Sequence, residues 1–343
     1  MLILKFSKNK KHYLFVIKRA IFVSIITEIL YLYGKICVFM LKIKFKKVIL
    51  KIEVVFVIAL FCFSSVNAKK INRDTHDINI EEKDMPQNGK YYALIIGIER
   101  FMGIEDLPED KLDDGAISIY NLFVNSKNWK EENIKILLNE NATKENIKDS
   151  IVNWLDERET ENDFVVYYFA GHSLKMPILK RNLGHTYSFP YNITDFEYSE
   201  DKITDDELAS WLDELESNHQ TLILDTCYSG KMISLRQKNR VMLTAGGKHF
   251  FCGVDESDTL GSNIFTFFLL QGFKGLADIN NDGWVTSEEA FRYAKIPTII
   301  SSIWQQFPFI QEWNNKTIIW FFQVPTMYDQ YLGSMKLVEY QYY

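Results

Sequence analysis

From Tyr91 onward the chain alternates short apolar runs with segments of helical spacing, and few folds accommodate that pattern. Tyr91–Ile98 (YYALIIGI) and Asp163–Phe169 (DFVVYYF) are nearly uninterrupted apolar runs, the mark of strands buried on both faces. Asn133–Leu138, Thr221–Leu224 and Val241–Leu243 are shorter strands of the same kind. Between them lie predicted helices: Ala116–Val124, a segment through Leu155 with Thr143 as N-cap, Thr204–Leu215 opening on the capping box Thr204-x-x-Glu207, and Ile264–Phe273. Strands alternating with helices imply an α/β fold with a doubly wound, mostly parallel sheet flanked by helices.

Charge divides the chain in two. Residues 1–68 carry 12 Lys and Arg against two acids, Glu28 and Glu53. The remainder holds 27 basic and 43 acidic residues, a net of −16. A body that acidic is a poor partner for nucleic acid and a good one for cations or basic substrates. The apolar run Val54–Phe63 follows five lysines and leads into Ser65-Val66-Asn67-Ala68, the layout of a secretory signal. Counted from Met40, that signal is 29 residues long, so residues 1–39 read as an upstream extension and 40–68 as a signal peptide. The alternative is an uncleaved membrane anchor, and only then is a membrane partner expected. Cleavage would export the protein and remove Cys37 and Cys62, leaving Cys227 and Cys252. Residues 69–90 are a polar linker.

In doubly wound sheets, functional residues collect beyond the carboxyl ends of the strands. After DFVVYYF comes Ala170-Gly171-His172-Ser173, and after TLIL comes Asp225-Thr226-Cys227-Tyr228-Ser229-Gly230. A thiolate is the attacking form of cysteine, and a histidine on a neighbouring strand is the base that makes it. The two residues are 55 positions apart, close to the spacing of caspases. A helix expected after Ser229-Gly230 would favour the sulfur anion through its N-terminal N–H groups.

These residues resemble the caspase-like cysteine peptidases. Phe169-Ala-Gly-His172 is similar to their "SGHG" strand end, and Asp225-Thr-Cys227-Tyr-Ser229-Gly230 to the metacaspase "D-x-C-x-S-G". The likeness covers about residues 91–312 and is nearest to the prokaryotic p20-type proteins. It implies that His172 is general base and acid, that Cys227 is the nucleophile, and that the N–H groups of Ser173 and Cys227 form the oxyanion hole. It also implies a peptide or protein substrate, with Asp225 in the S1 pocket selecting Arg or Lys. Two departures stand out: Ser173 replaces the usual glycine, which matters if φ there is positive, and Gly115-Ala116 replaces an "Asp-Ala" that carries a second specificity acid. They motivate the alternative of a catalytically inactive, calcium-binding interaction module.

Residues 278–289 fit a 12-residue EF-hand loop. Asp278, Asn280 and Asp282 fall at positions 1, 3 and 5, with Gly283 at the turn. Trp284 supplies a carbonyl, Thr286 fills position 9 and Glu289 closes the loop. Calcium is therefore the expected cofactor, with no part in the chemistry. Residues 313–343 take no assignment.

Overall fold

The computed structural model describes residues 86, 88–102, 112–175, 186–194, 200–247, 263–306, 312–313, 316–317 and 323–340. The leader, the proposed cleavage site, most of the linker, Cys252 and the apolar run 318–322 lie outside these residues.

Six strands form the main sheet: β1 (Tyr91–Gly97), β2 (Ile134–Leu138), β3 (Phe164–Ala170), β7 (His219–Asp225), β8 (Arg240–Thr244) and β12 (Thr326–Asp329). Their order is β12-β8-β7-β3-β1-β2, and every pair is parallel except the antiparallel edge pair β12–β8. Every residue of β1, β3 and β7 is buried. That explains why their sequences are apolar runs rather than alternations: a central parallel strand has no solvent face.

Alternation survives in which core each side chain joins. Tyr91, Ala93 and Ile95 enter one core with helices α1 (Leu112–Val124), α4 (Ile264–Gln271) and α5 (Ser287–Gln306). Tyr92, Leu94 and Ile96 enter the other, with α2 (Lys144–Asp149) and α3 (Asp205–Leu212). The sheet is thus wound on both faces, as the alternating pattern implied, with a parallel core and one antiparallel edge.

The predicted caps are present. The Thr143 hydroxyl accepts from the Asn146 N–H at 3.2 Å, and Thr204 and Glu207 complete a reciprocal capping box at 3.0 Å each way. Two helices end in π-type turns, Ser150–Leu155 after α2 and Gly272–Leu276 after α4. At the first, the Ser150 hydroxyl donates to the Asn146 carbonyl at 2.6 Å and competes with the regular ladder.

Smaller pieces complete the fold. Strands β4 (Ser173–Lys175), β5 (Thr186–Ser188) and β6 (Ile203–Thr204) make an antiparallel sheet that starts one residue after His172. Strand β9 (Trp284–Thr286) pairs with β13 (Lys336–Glu339), and β10 (Glu312–Trp313) with β11 (Lys316–Thr317). The C-terminal stretch without a sequence assignment therefore supplies an edge strand of the main sheet and the partner of the 278–289 loop. Among the described residues no helix is long and apolar enough to cross a membrane.

Candidate active site

The register of β3 and β7 sets the geometry. Their last paired residues are Ala170 and Asp225. His172 and Cys227 each stand two residues beyond that pair, on strands that run parallel about 4.8 Å apart. The two turns also touch: the Ser173 hydroxyl donates to the Cys227 carbonyl. Cys227 forms no disulfide among the described residues and is at intermediate burial. The His172 carbonyl accepts from the Phe189 N–H at 3.1 Å, and its ring lies 5.7 Å from that of Phe101. His172 Nε2 is shielded from solvent.

Ser173 opens β4 and is not among the residues with positive φ. Its Cβ therefore meets no left-handed backbone, and the hydroxyl serves as a brace between the turns. Gly171 has its own steric reason, because a Cβ there would come within 2.8 Å of the Phe169 ring.

The nucleophile turn differs from the expectation in one respect. No α-helix follows Ser229-Gly230; two 3₁₀ turns, Ser229–Lys231 and Ile233–Leu235, occupy the place. The nine residues between Gly230 and β8 are taken up by these turns and the loop into the strand. No α-helix dipole starting at this turn is therefore aimed at the sulfur. Instead the turn is knotted to Gly246. The Gly246 N–H donates to the Ser229 hydroxyl at 3.1 Å, and the Gly230 N–H donates to the Gly246 carbonyl at 2.8 Å. A Cβ on Gly230 would sit 2.8 Å from that same carbonyl, so the Ser-Gly pair is a close-approach requirement.

Asp225 is fully buried. Its Oδ2 accepts both from the Thr266 hydroxyl at 2.6 Å and from the Thr266 N–H at 3.1 Å, in the first turn of α4. Thr266 is bonded in turn to the Tyr168 hydroxyl at 2.7 Å. Burial raises the Asp225 pKa to about 6 against the opposing pull of Thr266 and Asn263. The carboxyl therefore closes a helix terminus as well as standing two residues before the thiol. Asp113, beside the Gly115-Ala116 departure, is also committed: it accepts from Asn139 Nδ2 at 2.8 Å and from the Asp114 N–H at 2.9 Å.

The 278–289 loop turns through left-handed Asn281 and Gly283, at φ 58° and 81°. Asp278 and Asn280 accept from N–H groups inside the loop. The oxygens suit a hard cation in type, but among the described residues no three acidic, histidine or cysteine side chains gather to hold one. Glu289 folds back onto the Thr286 N–H and hydroxyl as a helix cap, Asp282 pairs with Lys336 at 3.0 Å, and Asp278 accepts from the Tyr340 hydroxyl at 2.6 Å.

Comparison with known families adds one observation. Residues 116–236 match the family model described as metacaspase, peptidase C14 domain, and that span includes both His172 and Cys227. Over these residues the chain is similar to the caspase-like C14 peptidases. The family is one of cysteine peptidases, so peptides or proteins are its substrate class. No curated protein matches the chain. Two solved structures are similar at 12% identity: caspase-1 from Spodoptera frugiperda and a protein from Geobacter sulfurreducens. The first covers 79% of this chain and 98% of its own at a TM-score of 0.48, the second 73% and 97% at 0.47. The C14 match ends at Arg236, so β8, the acidic loop and both C-terminal strands lie beyond it.

Proposed function

We propose that this chain is a cysteine endopeptidase that works through a Cys227–His172 dyad. The observation that carries the reading is the shared register: an imidazole and a thiol, each two residues past the last pair of adjacent parallel strands, on turns bridged by Ser173. His172 takes the thiol proton, and the thiolate attacks the scissile carbonyl carbon. The oxyanion is held by the N–H groups of Ser173 and Cys227. Collapse expels the amine with the proton from His172 and leaves a thioester on Cys227. Water, deprotonated by His172, then attacks the thioester, releasing the carboxylic product and restoring the thiol.

In this reading Asp225 favours Arg or Lys at P1, and the acidic body assists by attracting basic segments. The 278–289 loop takes calcium through Asp278, Asn280, Asp282, the Trp284 carbonyl, Thr286 and Glu289. The ion would replace Lys336 as counter-charge and draw Glu289 off its cap. Cleavage after Ala68 exports the protein; an uncleaved leader would anchor it.

Fluorogenic peptides ending in Arg or Lys, offered to the protein with and without calcium, test the proposal. Turnover is expected from the wild type and not from Cys227→Ala. Undiminished turnover in that variant would remove Cys227 as nucleophile. No turnover, with slow ordinary alkylation of Cys227, would identify an inactive interaction module instead.

A further inference from the structure

The Cys227 turn is held in part from outside the family match, by Gly246 and Tyr328. Tyr228, next to the thiol, lies in the left-handed region at φ 54°, ψ 13°. For a bulky residue that conformation costs about 1 kcal/mol or more, and it persists only where surrounding contacts over-determine it. The Ser229–Gly246 knot fixes one side of the turn. The other side is the Gly230 carbonyl, which accepts from two side chains at once: the Tyr328 hydroxyl at 3.1 Å and Arg236 Nη2 at 3.4 Å. The Arg236 guanidinium lies flat enough over the Tyr328 ring for its centre to be 3.4 Å from the ring centroid.

Tyr328 therefore plays two parts, as donor to the carbonyl and as plate beneath the cation. It is delivered by β12, whose pairing of Tyr328 with Met242 sets its position along β8. Arg236 ends the short turns that follow the nucleophile. Both side chains are half-buried, so water competes weakly for the carbonyl.

We propose that Tyr328 and Arg236 are positioning residues for Cys227: their joint hold on the Gly230 carbonyl keeps the turn in the strained shape that presents the sulfur. This rests on Cys227 being the nucleophile, and the test separates the two ideas. Full-length wild type, Tyr328→Phe, Arg236→Lys and Arg236→Met are compared. Tyr328→Phe keeps the plate and loses one donor. Arg236→Lys keeps the charge and loses the planar stack. Cys227 alkylation by iodoacetamide is followed by peptide mass from about pH 5 to 9, alongside kcat, KM and urea unfolding.

Each single variant is expected to lower the alkylation rate at neutral pH and kcat about three- to tenfold, the scale of one lost hydrogen bond. KM should stay within about twofold, because no contact to substrate is removed. The inflection of the alkylation profile should move upward. Variants that lose stability while rate, inflection and kcat match the wild type would overturn the proposal, since a structural role alone gives that result. An ordinary thiol profile and no turnover in the wild type would end the nucleophile reading, and the clamp with it, before any variant is compared.

Discussion

Asp225 holds a carboxyl where water does not reach, bonded to the Thr266 hydroxyl and N–H and to the Asn263 side chain. Its folded pKa of about 6 lies above the ordinary 3.8. Below about pH 4 both the folded and the unfolded chain are protonated there, and the group is neutral to stability. Between those two values the unfolded chain has lost the proton and the folded chain has kept it, so stability falls as pH rises; above the folded value the penalty is complete. Asp225→Asn removes the penalty and keeps an acceptor for Thr266. In urea unfolding, the variant is expected to gain on the wild type as pH rises from about 4 to 6, by on the order of 3 kcal/mol, with little further change above about pH 7. A difference that does not vary with pH would mean that Asp225 ionises normally.

At the scale of elements, the local signals that survive folding are those with a short physical range. The Thr204 box needs only the four residues it contains, and it forms as read. Its Glu207 also reaches Lys144 at 2.9 Å, which ties α3 to the start of α2. Thr204→Ala is therefore expected to destabilise the protein by about 1 kcal/mol in urea, with Thr204→Ser recovering most of it; an unaffected midpoint would mean that the cap is idle. The strand ends were legible for a similar reason, because a doubly buried parallel strand has a composition of its own and the residues after it follow automatically. What was not legible depends on contacts distant in sequence. Nothing around Ser229 says that the next turn closes onto Gly246 instead of entering a helix. Tyr328 lies in a segment with no motif, and its role needs the β12–β8 register that only folding supplies. Asn139 is the same case: its left-handed turn, at φ 43°, lets one side chain just past β2 tie the segment after β1 to Asp113.

Across the whole sheet, the acidic loop and the thiol occupy opposite ends of the strands. The Thr221 hydroxyl, near the start of β7, meets Ser287 at 2.9 Å just after the loop strand β9, and the Tyr91 hydroxyl at the start of β1 donates to the Lys336 carbonyl at 3.3 Å. About 13 Å of extended strand separates Thr221 from Asp225. The loop is also bound to the C-terminus: β13 pairs with β9, Met335 N–H donates to Glu288, and the Leu337 carbonyl accepts from Trp129 Nε1 at 2.8 Å. An ion there would tighten this closure and have no direct path to the sulfur. Calcium is accordingly expected to raise the unfolding free energy by about 3 kcal/mol at a hundredfold excess over its Kd. Chelator should reverse the gain, and Glu289→Gln should abolish most of it. Cys227 alkylation, measured well below the unfolding transition, should stay the same with and without calcium. No calcium shift would remove the loop as a cation site. A shift accompanied by a changed alkylation rate would mean that the two ends of the sheet are coupled, and β7 is the element that spans both: its third residue bonds to Ser287 and its last precedes Cys227 by two.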